Sequence, residues 1–300
     1  MNISLVIPTY NRKDLLRRCL EAATKQVYPD YEVIVVDDAS TDGTDAMVLQ
    51  EFPQVRYLRQ ATNRGPAAAR NRGITAATGE IIAFTDDDCL IPPAFLTCLV
   101  AGYMRYTHIA GVGGYLEAPA VLLQHNMFAQ YDAYITHHVY GASSTPYLGG
   151  FECPAGGTNS MSYRRDVLVS LGGFDTSFPV AGGEDADLKL RIVRQKKLLL
   201  YIPIKVLHNQ PYNLQSFWHQ NYKHGRGSVY FAQKHAGSLP SSKRLILRAG
   251  VRLARWIRTL VLLKPRLATV RLLADMADLA GQWHEIRYLA RAARSSQLSE

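Results

Sequence analysis

The sequence predicts an α/β protein with a mostly parallel sheet, helices on both faces of that sheet, and a C-terminal helical tail. The composition, 47% hydrophobic and 20% charged, is that of a folded globular chain. Across the first 106 residues, short apolar runs alternate with stretches of helical periodicity, which is typical of βαβ units. The expected strands are Ile3–Ile7, Glu32–Val36, Val55–Leu58 and Ile81–Phe84. The expected helices are Leu15–Thr24, Thr44–Gln50, Ala67–Ala77 and Ala94–Tyr106.

The pattern becomes less regular after residue 106. Glycines recur between 110 and 163, and a His- and Tyr-rich stretch runs from Tyr131 to Tyr140, so the assignment of elements there rests on weaker periodicity. The elements expected are a helix near 120–138 followed by short strands, helices at Arg164–Leu171 and Asp185–Arg194, a late strand at Leu198–Ile204, and a helix over 213–235.

The positive charge is concentrated near the C-terminus. Residues 241–300 contain 12 Lys and Arg against 4 Asp and Glu, a net charge of +8, whereas residues 1–240 carry a net charge of +1. A chain that is nearly neutral over four fifths of its length is not expected to bind nucleic acid. We divide it into two halves of one domain, 1–106 and 107–240, and a basic tail, 241–300.

The tail has the spacing of an amphipathic helix. Five arginines fall within about 120° of one helical face, and Trp256 and aliphatic residues occupy the other. This favours attachment to an anionic membrane surface, and the alternative is a helix packed on the rest of the chain with a solvated basic face. The five residues are Arg244, Arg248, Arg252, Arg255 and Arg258.

The cysteines and the apolar segments indicate a cytoplasmic chain. Cys19, Cys89, Cys98 and Cys153 lie far apart without a C-x-x-C pair, so we expect free thiols in a reducing compartment. The segment Met1–Pro8 has no basic n-region and is interpreted as a first strand rather than a signal peptide. No apolar run reaches the ~18 residues of a spanning helix, so an association with the inner membrane surface would be peripheral.

Polar segments follow three of the predicted strands. They are Pro8–Arg12, Asp37–Gly43 and Thr85–Cys89, and the carboxyl ends of parallel strands meet at one edge, where ligands bind. No G-x-G-x-x-G or G-x-x-x-x-G-K-[ST] follows the first strand, which disfavours nicotinamide, flavin and P-loop enzymes. The carboxylates of Asp86 to Asp88 repel one another, so this segment predicts either a divalent-cation site or a solvated acidic turn.

These segments and several others together resemble an enzyme family. They are Val6–Arg12, Val35–Thr44, Asn63–Pro66, Ala69–Asn71, Gly79–Phe84, Asp86–Asp88, Gly172–Asp175 and Gly182–Leu188. In this order they resemble the family-2 glycosyltransferases of the glycosyltransferase-A fold, over roughly residues 3–235. The resemblance implies a Rossmann-like sheet, a nucleotide-sugar-binding first half and an acceptor-binding second half.

The resemblance also implies roles for single residues in donor and metal binding. Asp38 matches the residue that accepts a hydrogen bond from the nucleobase, and Arg70 matches a basic position near the diphosphate. Asp86 and Asp88 match the D-x-D pair of a Mg²⁺ or Mn²⁺ site, to which His208 would add a third ligand; an ordinary surface or core histidine is the alternative. The implied donor-binding set is Pro8, Thr9, Tyr10, Arg12, Asp37, Asp38, Arg70, Asp86 and Asp87.

For the acceptor, the resemblance implies that Asp185 is the general base and that Glu184 orients it or binds the acceptor. Both open a predicted helix, whose dipole favours ionised carboxylates, and a plain helix cap is the alternative. The segment Gln220–Gly227 departs from the Q-x-x-R-W box of processive members, because Lys223 replaces Arg and His replaces Trp, which argues against a processive synthase. Lys223 and Arg226 are candidates for binding a diphosphate or an anionic acceptor.

The combined expectation is an inverting, metal-dependent transfer of a sugar from a nucleoside-diphosphate donor to a saccharide or lipid-linked hydroxyl. The alternatives are an inactive sugar-nucleotide-binding protein, a membrane-surface scaffold and a nucleotidyltransferase. The retained acidic motifs weigh against the inactive protein, and the missing phosphate loop weighs against the nucleotidyltransferase. The sugar, the nucleobase and the acceptor are not specified by the sequence.

Overall fold

The computed structural model describes residues 1–237 and 265–297, together with isolated positions between 250 and 260. The elements of the first half are β1 (Ile3–Thr9), α1 (Lys13–Ala23), β2 (Tyr31–Asp37), α2 (Thr44–Glu51), β3 (Arg56–Arg59), α3 (Pro66–Ala76), β4 (Ile81–Phe84), β5 (Cys89–Leu90) and α4 (Phe95–Arg105). The elements that follow are β6 (Gly111–Glu117), α5 (Ala120–His125), α6 (Met127–His138), β7 (Tyr147–Gly149), β8 (Met161–Arg164), α7 (Arg165–Ser170), α8 (Glu184–Arg194), β9 (Leu199–His208), α9 (Leu214–Ala236) and α10 (Pro265–Gln297).

The first half of the sheet is parallel, as predicted. Within the described residues the strand order is β3-β2-β1-β4-β8-β6-β9-β5, and β7 also pairs with β9. β1 pairs in parallel with β2 and β4, and β2 pairs in parallel with β3. The carboxyl ends of β1, β2 and β4 therefore lie at the same edge, and so do the three polar segments that follow them.

The second half of the sheet is mixed. β8 lies antiparallel between β4 and β6, whereas β6 and β9 are parallel. Among the described strands, parallel pairing runs from β3 through β2 and β1 to β4, is interrupted by β8, and returns between β6 and β9.

The sequence does not predict β6, because the glycines of this strand resemble those of irregular backbone. A Cβ atom at Gly114 would lie 2.2 Å from the backbone oxygen of Ile204, and one at Gly111 would lie 2.6 Å from that of Ser162. These glycines let neighbouring strands approach closely, which is a known use of glycine inside strands.

Two further boundaries differ from the predictions. The helix expected near 120–138 is divided into α5 and α6, because Asn126 Oδ1 accepts the backbone N–H groups of Phe128 and Ala129, at 2.9 and 3.1 Å, in the manner of a helix N-cap. The late strand β9 continues to His208 rather than ending at Ile204, since its pairing with β5 joins His208 to Cys89.

Apolar residues cover both faces of the sheet. Leu5 and Ile7 point into a core shared with α1, α2 and α4, and Val6 points into a core shared with α3, α7 and α8. This period-2 alternation confirms the prediction of helices on both faces.

The chain divides into two compact units. The first comprises Met1–Pro119, Ala133–Thr176 and Asp185–Gln210, and the second comprises Ala120–Asp132, Ser177–Glu184 and Pro211–Glu300. In the second unit α9 and α10 pack closely, since a Cβ at Gly281 would lie 2.1 Å from the backbone oxygen of Tyr222.

The predicted tail is helical where it is described, over α10. The five arginines of the predicted basic face lie outside the described residues. Among the helices that the structure describes, none combines the length and the apolar character needed to cross a bilayer.

Candidate active site

The loops after β1 and β2 are joined at the carboxyl edge of the sheet. Asn11 donates its backbone N–H to Ser40 Oγ at 2.8 Å, and its side-chain oxygen accepts the N–H of Thr41 at 2.7 Å. Asn11 and Ala39 have left-handed φ values of 51° and 69°, which are uncommon for residues other than glycine. Strained backbone of this kind is concentrated at functional sites, so this edge is a candidate ligand-binding surface.

Asp37, predicted to bind the donor, stabilises the carboxyl edge of the sheet through buried hydrogen bonds. It is fully buried, and its carboxylate accepts the backbone N–H of Ser40 at 2.8 Å and the hydroxyl of Tyr57. Burial and this carboxylate raise the pKa of Tyr57. The Tyr57 contact was not predicted, because a tyrosine on β3 carries no signal of such a partner in the sequence.

Asp38 lies at the start of the next loop and orders it. Its two carboxylate oxygens accept hydrogen bonds from Gln60 Nε2 at 2.6 Å, from the N–H of Arg64 at 2.8 Å and from the N–H of Gly65 at 2.7 Å. Because Pro66 then begins α3, Asp38 fixes the start of the helix that carries Arg70. Its predicted contact with a nucleobase is an additional role that stays a prediction.

The residues after β1 differ in exposure. Pro8 and Thr9 are buried, whereas Tyr10 is 45% exposed. Thr9 Oγ1 donates to Asp87 Oδ2 at 2.8 Å and so joins the segment after β1 to the segment after β4. Of these three predicted wall residues, Tyr10 is the one whose side chain is accessible to a ligand.

The three consecutive aspartates point to different partners. Asp86 Oδ1 lies 2.8 Å from Arg70 Nη2. Asp87 and Asp88 share Arg12 Nη1, at 3.0 and 2.9 Å. The cluster is therefore neutralised by cationic side chains, and Arg12, predicted to contact the donor, is an internal counter-ion of the acidic segment.

His208 completes the cluster. Its Nε2 atom lies 3.4 Å from Asp88 Oδ1, because antiparallel pairing of β5 with β9 joins the residue after Asp88 to His208. Burial opposes the ionisation of Asp88, but His208 and Arg12 outweigh it and lower its pKa to about 2. For Asp87, burial and the adjacent Asp88 dominate over Arg12 and raise the pKa to about 7.

The donor set of Asp88 and His208 fits a divalent cation. Ligand atoms of Asp88, Cys89 and His208 all lie within 4.8 Å of one another. A carboxylate oxygen and an imidazole nitrogen suit Mn²⁺, and Mg²⁺ takes the oxygen ligands. Burial raises the pKa of the Cys89 thiol well above its usual range. A thiol is also a softer ligand than Mg²⁺ or Mn²⁺ prefers. Asp86, predicted as a second carboxylate ligand, is ion-paired with Arg70 in this structure.

Arg70 occupies the centre of the first unit's polar cluster. It is 5% exposed, and its guanidinium carbon lies 5.7 Å from the ring centre of Phe174. The adjacent Asn71 bonds both backbone groups of Phe174, accepting from its N–H at 2.8 Å and donating to its carbonyl at 2.7 Å. These contacts attach the Gly-Gly-Phe-Asp segment to α3, a role of Asn71 that sequence reasoning missed although Asn71 was part of a matched segment.

Asp185, the predicted base, lies in the first turn of α8. Its Oδ1 atom accepts the N–H of Ala186 at 2.8 Å. Burial raises the pKa of Asp185, while the positive charge of Arg70 opposes this rise and the negative charge of Asp86 adds to it. The fold thus brings Asp185 into the electrostatic range of the predicted donor-binding residues.

Hydrogen bonds of Arg191 connect α8 to the segment that precedes it. Arg191 Nε lies 2.8 Å from the buried carboxylate of Asp187, and its two terminal nitrogens donate to the carbonyls of Leu171 and Gly173, at 2.9 and 2.8 Å. The preceding Glu184, predicted to assist Asp185, accepts the N–H of Gly182 at 2.7 Å and so caps the entry to the helix.

Lys223 and Arg226, predicted to meet a diphosphate or an anionic acceptor, lie on α9 of the second unit. Arg226 Nε lies 2.7 Å from Glu285 Oε2, within the contact of α9 with α10. This ion pair engages the Arg226 guanidinium, and the ligand-binding role of both residues stays a prediction.

Comparisons with known proteins identify the family and agree with this fold. Residues 4–153 match the family described as Glycosyl transferase family 2, and residues 81–279 match the Glycosyl transferase family group 2. Glycosyltransferase AglE of Haloferax volcanii is 41% identical over 92 residues, which cover 29% of this chain and 30% of that protein. The GalNAc(5)-diNAcBac-PP-undecaprenol beta-1,3-glucosyltransferase of Campylobacter jejuni is 33% identical over 114 residues, which cover 36% of this chain and 37% of that protein. The matches thus span about a third of the length of these relatives.

Among solved structures, the chain is similar to mannosyltransferase PcManGT from Pyrobaculum calidifontis, solved in complex with GDP-Man and Mn²⁺. The TM-score is 0.60 at 22% identity, over 99% of this chain and 80% of that one, a likeness that concerns the fold. The architecture is therefore the glycosyltransferase-A fold, as expected. The chain belongs to glycosyl transferase family 2, and the family match extends beyond residue 235 into α10.

Proposed function

We propose that this protein transfers a sugar from a nucleoside-diphosphate sugar to an acceptor hydroxyl, with inversion at the anomeric carbon. The observation that carries the proposal is the position of Arg70, whose side chain lies 2.8 Å from Asp86 of the acidic segment and acts electrostatically on Asp185. The acidic segment predicted to bind the donor and the predicted base Asp185 therefore interact with the same buried guanidinium, that of Arg70, within the first unit.

The donor would lie at the carboxyl edge of β1, β2 and β4. Tyr10 would contact the base or ribose, Asp38 would accept a hydrogen bond from the base, and Asp86 with Arg70 would face the diphosphate and sugar. The similarity to a mannosyltransferase solved with GDP-Man supports a nucleotide-sugar donor without specifying which one.

Asp88 and His208 would hold a divalent cation, Mn²⁺ or Mg²⁺. When bound, such an ion stabilises the negative charge that develops on a diphosphate leaving group. Arg12 holds Asp87 and Asp88 in place from the other side, at 3.0 and 2.9 Å. The Mn²⁺ present in the PcManGT structure supports this assignment.

Asp185 would take the proton of the acceptor hydroxyl. In a single displacement, the acceptor oxygen forms its bond to the anomeric carbon as the bond from that carbon to the diphosphate oxygen breaks, and the proton passes to the Asp185 carboxylate. The raised pKa of a partly buried carboxylate strengthens it as a base, and Arg70 keeps the ionised form available.

The acceptor would be a saccharide or lipid-linked hydroxyl. The Campylobacter jejuni relative, a GalNAc(5)-diNAcBac-PP-undecaprenol beta-1,3-glucosyltransferase, supports this class of acceptor. The basic tail would place the enzyme peripherally on the cytoplasmic face of the membrane. Four apolar tail residues, Val251, Leu253, Ile257 and Leu260, are between 44 and 53% exposed, which supports this placement.

The test is a donor screen on the full chain. UDP-glucose, UDP-galactose, UDP-N-acetylglucosamine and GDP-mannose are each incubated with the protein and Mn²⁺, and release of the free nucleoside diphosphate is measured. At least one donor is expected to be cleaved above the rate of an Asp185→Asn variant, and cleavage is expected to stop in EDTA. The absence of nucleoside-diphosphate release from every donor would contradict the proposal.

A further inference from the structure

Residues 150–157, the first part of the loop between β7 and β8, form hydrogen bonds with side chains of the first unit. Lys189 Nζ donates to the carbonyl of Cys153, and Tyr163 donates its hydroxyl to the carbonyl of Gly156 at 3.5 Å. The loop also closes on itself, since the N–H of Cys153 donates to the carbonyl of Gly150 at 3.2 Å. These hydrogen bonds to three backbone carbonyls give the loop a defined position next to α8.

Lys189 connects the loop to the predicted base. It lies four residues after Asp185 on α8, which is one helical turn. Its aliphatic stem passes under Gly156, where a Cβ atom would come within 2.9 Å of Lys189 Cδ. Burial lowers the pKa of Lys189, and the nearby Cys153, Asp185 and Glu152 oppose this shift. No step of the proposed transfer uses this lysine.

Phe151 is the aromatic residue of the loop. The ammonium of Lys189 lies 5.5 Å from the centre of its ring, within the range of a cation–π contact that orients the ring. Phe151 nevertheless remains 44% exposed, although a phenylalanine is normally buried. An aromatic ring that is exposed, has a fixed orientation and lies on an ordered loop is typical of a binding surface rather than of a core residue.

We propose that Phe151, positioned by Lys189, is the surface against which the acceptor sugar packs. A pyranose presents one face that carries mainly C–H groups, and an aromatic ring offers a flat apolar face that matches it. The neighbouring carboxylate of Glu152 accepts the N–H of Gly150 at 2.9 Å and supplies polar atoms beside the ring for sugar hydroxyls. This inference rests on the proposed function and names the acceptor-binding part of that site.

The location separates this surface from the donor residues. The predicted donor side chains follow β1, β2 and β4, apart from Arg70 on α3. Phe151 instead follows β7 and contacts Lys189 of α8, the helix that carries Asp185. In an inverting transfer the base and the acceptor lie on the side of the sugar opposite the diphosphate. A sugar packed on Phe151 would therefore be on the side of the base. Lys189 is a positioning residue in this arrangement.

The first experiment measures binding directly and does not depend on turnover. Saturation-transfer NMR is recorded for methyl β-glucoside, methyl β-galactoside and methyl α-mannoside with the wild type and with Phe151→Leu, Phe151→Tyr and Lys189→Met. At least one glycoside is expected to bind the wild type and Phe151→Tyr alike. Phe151→Leu and Lys189→Met should weaken that binding ~tenfold, which corresponds to about 1.4 kcal/mol. Lys25→Met and Tyr288→Leu, which alter exposed residues elsewhere, serve as matched controls.

The second experiment separates the acceptor surface from donor chemistry. With a donor that the wild type cleaves, slow release of nucleoside diphosphate to water is compared with release in the presence of the glycoside. Phe151→Leu is expected to release nucleoside diphosphate to water at the wild-type rate and to need a higher glycoside concentration for half-saturation. A variant that had only lost stability would not change the second quantity alone. Unchanged glycoside binding in Phe151→Leu and Lys189→Met, or no glycoside binding to the wild type, would overturn this inference. Donor cleavage tests the proposed function separately.

Discussion

Asp86, Asp87 and Asp88 acquire different chemistry from their surroundings, although they are adjacent and identical. Asp88 faces His208 and Arg12, which stabilise its charge, so its pKa falls to about 2 in spite of burial. Asp87 is buried beside that charge, so its pKa rises to about 7. Asp86 is paired with Arg70. At the residue scale, Asp88 is therefore the carboxylate most suited to a cation.

We predict that Asp88→Ala abolishes metal-dependent binding of a nucleoside diphosphate and leaves the protein folded. The variant removes the carboxylate that lies 3.4 Å from His208, while Arg12 keeps Asp87 as its partner. Titration calorimetry with UDP and GDP in the presence of Mn²⁺ measures the affinity, and thermal melting monitors the fold. Asp14→Ala, at an exposed position, is the control. Unchanged affinity in Asp88→Ala would show that the cation is held elsewhere.

We predict that Asp185→Asn retains the affinity for the donor and lowers turnover by ~10²–10⁴-fold, the usual contribution of a positioned general base. Asparagine keeps the shape and can still accept the N–H of Ala186 through its oxygen. Steady-state kinetics and donor calorimetry separate the two quantities. Turnover close to the wild type would direct the search for the base to Glu184 and Asp187.

At the element scale, the position of α8 depends on a short segment outside it. The carbonyl of Gly173 accepts a hydrogen bond from Arg191 on α8. Phe174 donates its N–H to Asn71 on α3 and accepts from the Asn71 amide at its carbonyl. The Gly-Gly-Phe-Asp segment therefore links the helix of Arg70 to the helix of Asp185. We infer that its function is to keep the spacing between these two helices.

We predict that Gly173→Ala destabilises the protein more than Gly172→Ala. Both glycines have φ of 72°, which costs an alanine about 1–2 kcal/mol. A Cβ at Gly173 would also lie 2.3 Å from Asn71 Oδ1, whereas nothing lies within 4 Å of one at Gly172. The additional loss for Gly173→Ala should be ~1–3 kcal/mol, as for other overpacked sites. Urea unfolding measures both variants, and equal losses would show that the Asn71 contact is not rigid.

A second element-scale contact joins α6 to the sheet. His137 Nε2 lies 3.0 Å from Glu117 Oε1, and Nδ1 lies 3.0 Å from the carbonyl of Ala142. Both partners are acceptors, so both bonds form when the imidazole carries two protons. The hydrogen bond to Glu117 is the main cause of the raised pKa of His137, followed by the Ala142 carbonyl. Lys205, whose Nζ lies 3.1 Å from Glu117, acts in the opposite direction.

We predict that this contact contributes stability in mildly acidic solution and loses it toward alkaline pH. Because the folded-state pKa of His137 lies above the unfolded value of ~6.5, the contribution is complete below that value and disappears as pH rises through the folded-state pKa. Urea unfolding at about pH 6 and pH 8 should show a smaller pH dependence for His137→Gln than for the wild type. The exposed His108→Gln is the control, and an identical pH dependence in His137→Gln would contradict the assignment.

For the whole molecule, the charge distribution separates a nearly neutral body from a basic tail. Residues 241–300 carry a net charge of +8, and α10 within them packs on α9 through a buried ion pair of Arg226 with Glu285. The five arginines of the predicted basic face lie outside the described residues, so attachment of residues 241–300 to a membrane surface stays a prediction, as does the alternative of a helix packed on the rest of the chain.

We predict that replacing the five arginines from Arg244 to Arg258 by glutamine weakens binding to anionic vesicles. Each basic residue near such a surface contributes about 1 kcal/mol. Wild-type binding should weaken without vanishing between ~0.1 and ~1 M salt, because the Debye length falls from ~10 to ~3 Å while apolar contacts persist. Co-sedimentation with anionic and neutral vesicles measures this, with the exposed Arg18, Arg72 and Arg105 replaced in a control. Equal sedimentation of the wild type with both vesicle types would contradict the prediction.

The sequence by itself determined the parallel strands β1 to β4, the helices between them, and the segments that carry the acidic residues, because period-2 and period-3.6 patterns are local and family motifs are contiguous. It did not determine β6, whose glycines resemble loop residues until the neighbouring strands are in place. The resemblance implied that His208 joins Asp88 and left an ordinary histidine as the alternative, and the pairing of β5 with β9 brings the two side chains to 3.4 Å. Only the tertiary structure showed that Arg70 pairs with Asp86 and acts electrostatically on Asp185, since these residues are separated along the chain and meet through helix packing. The different pKa values of Asp87 and Asp88 have the same origin, because burial and partners are properties of the folded chain.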